Sequence, residues 1–274
     1  MAIFRLNALK PAGGSPGASA PKEPNVTIIA VDDILSHPPR DSGEVNMLGS
    51  YVMKPGCRMA QYYQTSSKSK ATFESEGDED TQTYKHKFES EYPGDGLTIN
   101  EFIAQWTGVN AIIIYGSCSD AFRKVVGTKC APVQLKASGQ DDNDARKKML
   151  VFEQYAKSRF LPGHYTGALV LAEPFQATSG VFAISPANGN QYQLPSLAVT
   201  DAIEPSAMTL ENGQIVTFIG GGGVAPATLT QGEAGAVQVL LAAGSTWTGL
   251  LNAVINLRVF NAGDDTYLIE VSRA

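Results

Sequence analysis

Three histidines, His37, His86 and His164, are the only imidazoles in the 274 residues, and imidazole is the side chain best suited to proton transfer near neutral pH. One stands before two prolines, one inside an alternating run and one after a glycine. No Ser or Cys signature accompanies them, so their spacing builds no nucleophile–base pair, and they read as structural histidines. Gly220 to Gly223 is glycine-rich, yet it lacks the Lys-Ser/Thr and following helix of a phosphate loop, so it reads as a turn. The run from Asp141 to Asp144 begins like a calcium loop, but Arg146 stands where that loop needs glycine and Phe152 where it needs glutamate. Cys57, Cys118 and Cys130 contain no CxxC pair and are odd in number. They give neither a disulfide framework nor a zinc site, and read as reduced, buried thiols. Spacing places no pair of carboxylates for acid–base work. The expectation is a chain that is not an enzyme and uses no cofactor and no metal.

The remaining polar cluster has a different character. Lys68 and Lys70 are followed by Glu74, Glu76, Asp78, Glu79 and Asp80. This basic-then-acidic order is complementary to itself, so segment 66–80 is expected to mediate contact between copies of the chain rather than form a plain solvated loop. The rest of the charge is unevenly placed. Residues 1–165 hold 19 basic and 19 acidic side chains, whereas 166–274 hold 2 and 8, so the whole net charge of −6 sits in the second stretch. Two such charge economies indicate two domains. A net negative chain lacks the basic stripe that specific nucleic-acid binding needs. No stretch approaches the ~20 apolar residues of a membrane helix, and Met1 to Lys10 makes a poor signal peptide.

The elements that must position these residues follow from periodicity and punctuation. Pro11 to Pro24 carries hardly a hydrophobe, so residues 1–25 are expected to form an arm that is flexible or ordered by a partner. Val26 to Ile34 reads as a buried strand. In 84–91, Tyr84, His86, Phe88 and Ser90 alternate with Lys85, Lys87, Glu89 and Glu91, the return strand of a hairpin whose tip is the charged cluster. One helix is expected, with Thr98 as cap, Glu101 closing a capping box, and a stripe of Ile99, Phe102, Ile103 and Trp106 ending at Gly108. AIIIYGS from Ala111 reads as a fully buried strand. Strands are also expected at FRKVVGT, APVQLKAS and around MLVF. After Gly163, strand-sized runs such as GALVLAEPF, GVFAISP, QIVTFIG and AVINLRVF recur between glycine-rich turns, which indicates an all-β sandwich or barrel at 166–274.

The order of segments in 26–165, with EGDED, EYPGDG, INEFIAQW and GTKCAPVQL, resembles the tail tube proteins of tailed bacteriophages, particularly virion structural proteins of phages of Bacteroidetes hosts. The resemblance implies a mainly β fold: a tail-tube-like β-sandwich or barrel with one flanking helix at 26–165, and a decoration-like second sandwich at 166–274, often immunoglobulin-like in such proteins. It implies a virion protein whose partners are copies of itself in rings, commonly hexameric, and other tail proteins. Stacked rings would form a conduit through which DNA passes without specific binding. The hairpin from about Tyr63 to Tyr84 would join one ring to the next. The extra second half leaves a head–tail connector, a capsid decoration or a fibre base as alternatives. A carbohydrate or host-surface binding module, using Trp247 and Tyr267, is a further one.

Overall fold

The computed structural model describes residues 7–11, 15, 17–263 and 265–274. Residues 1–6, 12–14 and 16 of the expected arm lie outside them. In the first unit the main strands are β1 (Asn25–Ala30), β2 (Ala60–Tyr63), β3 (Lys70–Glu76), β4 (Thr83–Pro93), β5 (Ala111–Tyr115), β6 (Arg123–Val126), β7 (Val133–Asp141), β8 (Arg146–Gln154) and β9 (Gly163–Tyr165), with helix α1 (Leu97–Trp106) between β4 and β5. They form a ten-stranded sheet in the order Asn46–Met47, β9, β6, β5, β7, β8, β4, β3, with β1 lying between β5 and β2.

The apolar run of β5 explains the layering. All five of its side chains are buried, and successive ones point to opposite faces. Ala111, Ile113 and Tyr115 meet Val26, Ile28, Phe88, Leu150 and Phe152 in one core. Ile112 and Ile114 meet Ile29, Tyr51, Met53 and Tyr165 in another. The two arms of the sheet thus enclose the first core, and segment 34–59 covers the second.

Helix α1 lies against the first core, with Ile99 buried and Phe102, Ile103 and Trp106 packed beside it. Its start differs from expectation. Gly96 is the N-cap, Thr98 lies inside the first turn, and no side chain caps the end, so the Thr98–Glu101 box does not form. Asp95 organises this end instead, accepting from Asn100 Nδ2 at 2.7 Å and pairing with Lys148 at 2.9 Å. Gly108, with φ at +81°, follows the helix in the left-handed conformation that suits glycine.

The MLVF segment is strand β8, paired antiparallel to β7 from Val133↔Gln154 to Asp141↔Arg146. Between them Asp142 Oδ1 accepts from the backbone N–H groups of Asp144 and Ala145, each at 2.9 Å. The calcium-like run is a hairpin turn. Two expectations are corrected. The end of the arm is held by its own chain: Glu23 N donates to Gly116 O at 3.1 Å and Gln64 N to Pro24 O at 2.7 Å. The thiols are not buried, since Cys118 and Cys130 are exposed and Cys57 partly so. They sit in surface loops, where backbone polar groups reach water.

The second unit is all β among the described residues apart from two short 3-10 turns. Its main strands are β10 (Phe175–Gln176), β11 (Gln191–Gln193), β12 (Ile215–Ile219), β13 (Gly232–Ala234), β14 (Val237–Leu240), β15 (Val254–Ala262) and β16 (Asp265–Arg273). They form a seven-stranded sheet, β10-β11-β12-β15-β16-β14-β13. The pairs β10–β11, β11–β12 and β14–β16 are parallel. The sheet is therefore mixed, whereas an immunoglobulin sandwich is antiparallel. The expected GALVLAEPF strand shrinks to β10. Val170, upstream of it, is buried in the first unit's second core, where Met59 N donates to its carbonyl at 2.8 Å. The glycine run is a close crossing of chain segments: a Cβ at Gly220 would stand 2.0 Å from Leu250 O, and one at Gly221 2.1 Å from Leu194 O.

The two units are joined at segment 48–52. Asn256 Oδ1 accepts from Ser50 N at 3.2 Å and Thr217 Oγ1 at 2.8 Å, and Asn256 Nδ2 donates to Ser272 Oγ at 3.1 Å. Ser272 Oγ donates in turn to Leu48 O at 2.7 Å. Val52, Ile219 and Val254 make a small apolar cluster beside this network.

Candidate assembly edge

Strand β3 is the last strand of the ten-stranded sheet. It pairs with β4 from Lys70↔Glu89 to Glu76↔Thr83, and among the described residues nothing pairs with its other edge. A row of free N–H and C=O groups of this length is a template for another strand. The structure brings the seven charged residues expected at a contact onto this one hairpin. Lys68 lies in the turn before β3, Lys70, Glu74 and Glu76 lie on the strand, and Asp78, Glu79 and Asp80 lie at the tip. All are exposed except Glu76, which is partly covered and pairs with Lys157 at 3.1 Å. Even-numbered residues face the charged side of β4, where Glu74 stands opposite Lys85. Odd-numbered ones face the inner side, where Phe73 stands opposite His86. Phe73 is nevertheless 51% exposed, with one edge on the Tyr84 ring at 6.0 Å.

The tip is held in one shape by its own bonds. Gly77 has φ at +124°, and a Cβ there would stand 2.2 Å from Thr81 O, so only glycine fits. Asp78 N donates to Thr81 Oγ1 at 3.0 Å, and Thr83 Oγ1 donates to Glu76 O at 3.0 Å. The return strand is anchored as its alternation implied, with His86, Phe88 and Ser90 buried. His86 N donates to Gln154 Oε1 at 2.8 Å. Burial lowers the His86 pKa to about 4; the Phe160 backbone opposes this only in part and is not placed for a hydrogen bond to either ring nitrogen.

The other candidate groups are not brought together. His37 meets the edge of Tyr51 at 5.7 Å, and burial, with Lys129 nearby, lowers its pKa to about 4. His164 stacks on Phe122 at 4.0 Å, and burial, with the Lys124 charge, lowers its pKa as well. His37 and Arg40 line a cavity of about 400 Å³, where Arg40 Nη1 donates to the Glu44 and Leu161 carbonyls. Glu44 at its rim pairs with Arg159 at 3.1 Å. Among the described residues no three His, Cys, Asp or Glu side chains are grouped to hold a metal ion. Trp247 is buried in the second unit's core and Tyr267 is half-buried beside Phe260, so Trp247 offers no face for a sugar.

Sequence reasoning missed Phe73 and this cavity. The exposed aromatic within a polar run was the available signal for Phe73. Nothing local foretells a cavity formed by residues 37–47 with 127–130 and 159–160. Comparison with known proteins finds no matching family profile, no matching curated protein and no matching solved structure. No described helix is long and apolar enough to cross a membrane.

Proposed function

We propose that this chain is a structural subunit, not an enzyme, that assembles with copies of itself. The form favoured by the segment order in 26–165 is the stacked-ring tail tube of a phage virion, with other tail proteins as neighbours and DNA passing through the lumen. The observation that carries the assembly reading is the free edge of β3, a seven-residue strand with exposed charge and an exposed phenylalanine. A sheet ending this way gains backbone hydrogen bonds when a neighbour continues it, and a closed assembly satisfies edges that would otherwise aggregate. Electron microscopy of the purified protein tests the reading: rings or tubes are expected. Trimers by native mass would point to a fibre base, and a monomer at high concentration would overturn assembly altogether.

A further inference from the structure

The charge order along β3 is specific enough to choose a partner and a register. The strand reads Lys70-Ala71-Thr72-Phe73-Glu74-Ser75-Glu76. Laid antiparallel against a second copy of itself and centred on Phe73, it pairs Lys70 with Glu76 at both ends, Ala71 with Ser75, Thr72 with Glu74, and Phe73 with Phe73. Continued past the strand, the same register sets Lys68 against Asp78. Partners in this arrangement share a face of the sheet, because the residues of each pair are both even-numbered or both odd-numbered. The even-numbered face would then carry the two Lys–Glu pairs, and the odd-numbered face the two phenylalanines.

We propose that β3 pairs with β3 of a second copy, antiparallel about Phe73, so that the sheet runs on through a two-fold axis. The inference rests on the reading of the chain as an assembling subunit and adds the partner strand and its register to it. Three observations support it. Among the described residues the edge has no ladder partner, and Ala71, Thr72 and Phe73 line a cavity with Lys124, Leu161 and His164. Phe73 leaves half its surface uncovered on its own chain, and an aromatic pair directly across two strands is a stabilising cross-strand contact. Lys70 has no carboxylate within ion-pair distance among the described residues, while Glu76 has only the exposed Lys157. The alternatives are worse. A parallel, in-step pairing sets Lys70 on Lys70 and Glu74 on Glu74. Sliding the antiparallel register by two residues toward the tip sets Glu74 on Glu74, and sliding it the other way sets Phe73 opposite Ala71, so the aromatic pair is lost. Like charges directly opposite are destabilising. The contact is isologous and closes at two copies, so a ring or tube is built from such pairs through a second surface.

Two measurements on the full chain test this. The first is charge reversal read by sedimentation. Lys70→Glu places glutamate opposite Glu76 twice by symmetry and is expected to weaken association roughly tenfold, whereas Lys70→Glu with Glu76→Lys restores it. The second is Phe73→Cys in a Cys118→Ser, Cys130→Ser background. Mild oxidation is expected to give a dimer linked through residue 73, absent from the background alone. Association that persists without the 73–73 link and without rescue by the double swap would overturn the β3 pairing and leave assembly through another surface. No association of the unaltered chain would overturn both.

Discussion

The first sheet ends in β3, seven residues long, with lysine at one end and glutamate at the other; the second ends in β10 and β13, of two and three residues. Both are ways of keeping a sheet from pairing indiscriminately, since short edges offer few hydrogen bonds and charged edges repel wrong partners. They leave different possibilities open. The second unit has too little free edge for a neighbour to extend, and what it presents inward, at Asn256 and Val254, is taken up by segment 48–52 of the first. The first unit keeps a long edge whose charges are complementary to themselves in the register proposed above. Assembly through a sheet edge is therefore proposed for the half with balanced charge, while the acidic half is fastened to it.

The largest expected effects show that this contrast concerns edges and not cores. Phe152→Ala in the first unit's first core and Phe218→Ala in the core of the second unit both truncate fully buried rings. Each is expected to cost about 3–5 kcal/mol in denaturant unfolding. A small loss for either would mean that its unit is loosely packed.

Next comes the seam. Asn256→Ala leaves Ser50 N–H and Thr217 Oγ1 without their acceptor in a buried setting and is expected to destabilise by about 2–3 kcal/mol. A loss near zero would show that the two units are not joined there.

The hairpin's anchor is sensitive to pH. The folded-state pKa of His86 is about 4 against an ordinary 6.5, so between these values the unfolded chain binds more protons and stability rises with pH. The contribution is present above pH 6.5 and is lost as pH falls toward 4, with a slope of at most about 1.4 kcal/mol per pH unit for this group. His37 behaves in the same sense. The variant His86→Phe is therefore expected to flatten, without abolishing, the fall in urea midpoint over that range. An unchanged slope would mean that His86 is readily solvated.

The smallest effect is at the exposed Glu76–Lys157 pair. Lys157→Ala is expected to change stability by no more than about 0.5 kcal/mol. A larger loss would mean that the hairpin is held by that ion pair rather than by His86, Phe88 and Ser90.

Local patterns carried the first half of the fold well. Five consecutive apolar residues at 111–115 can only be covered on both faces, and the alternation at 84–90 can only be covered on one; both are so in the structure. The start of α1 was misplaced by two residues because a Thr-x-x-Glu spacing was present while Asp95, just outside it, had partners at Asn100 and Lys148 that no local rule reveals. In the second half, short apolar runs fixed the β class but not the pairing. Parallel neighbours such as β11 and β12 are linked through intervening chain whose path depends on distant contacts, including the glycine crossing at 220–223. At the candidate edge, the charge order was legible in the sequence. The strand itself was not, because an edge strand with charge on one face and a single aromatic on the other lacks a clean alternation.

Sedimentation of the unaltered protein over a rising concentration series tests the central claim most directly. A mass that climbs from one copy to two or more is expected, with the climb displaced to roughly tenfold higher concentration in Lys70→Glu. A single unchanging species of one copy throughout the series would contradict it.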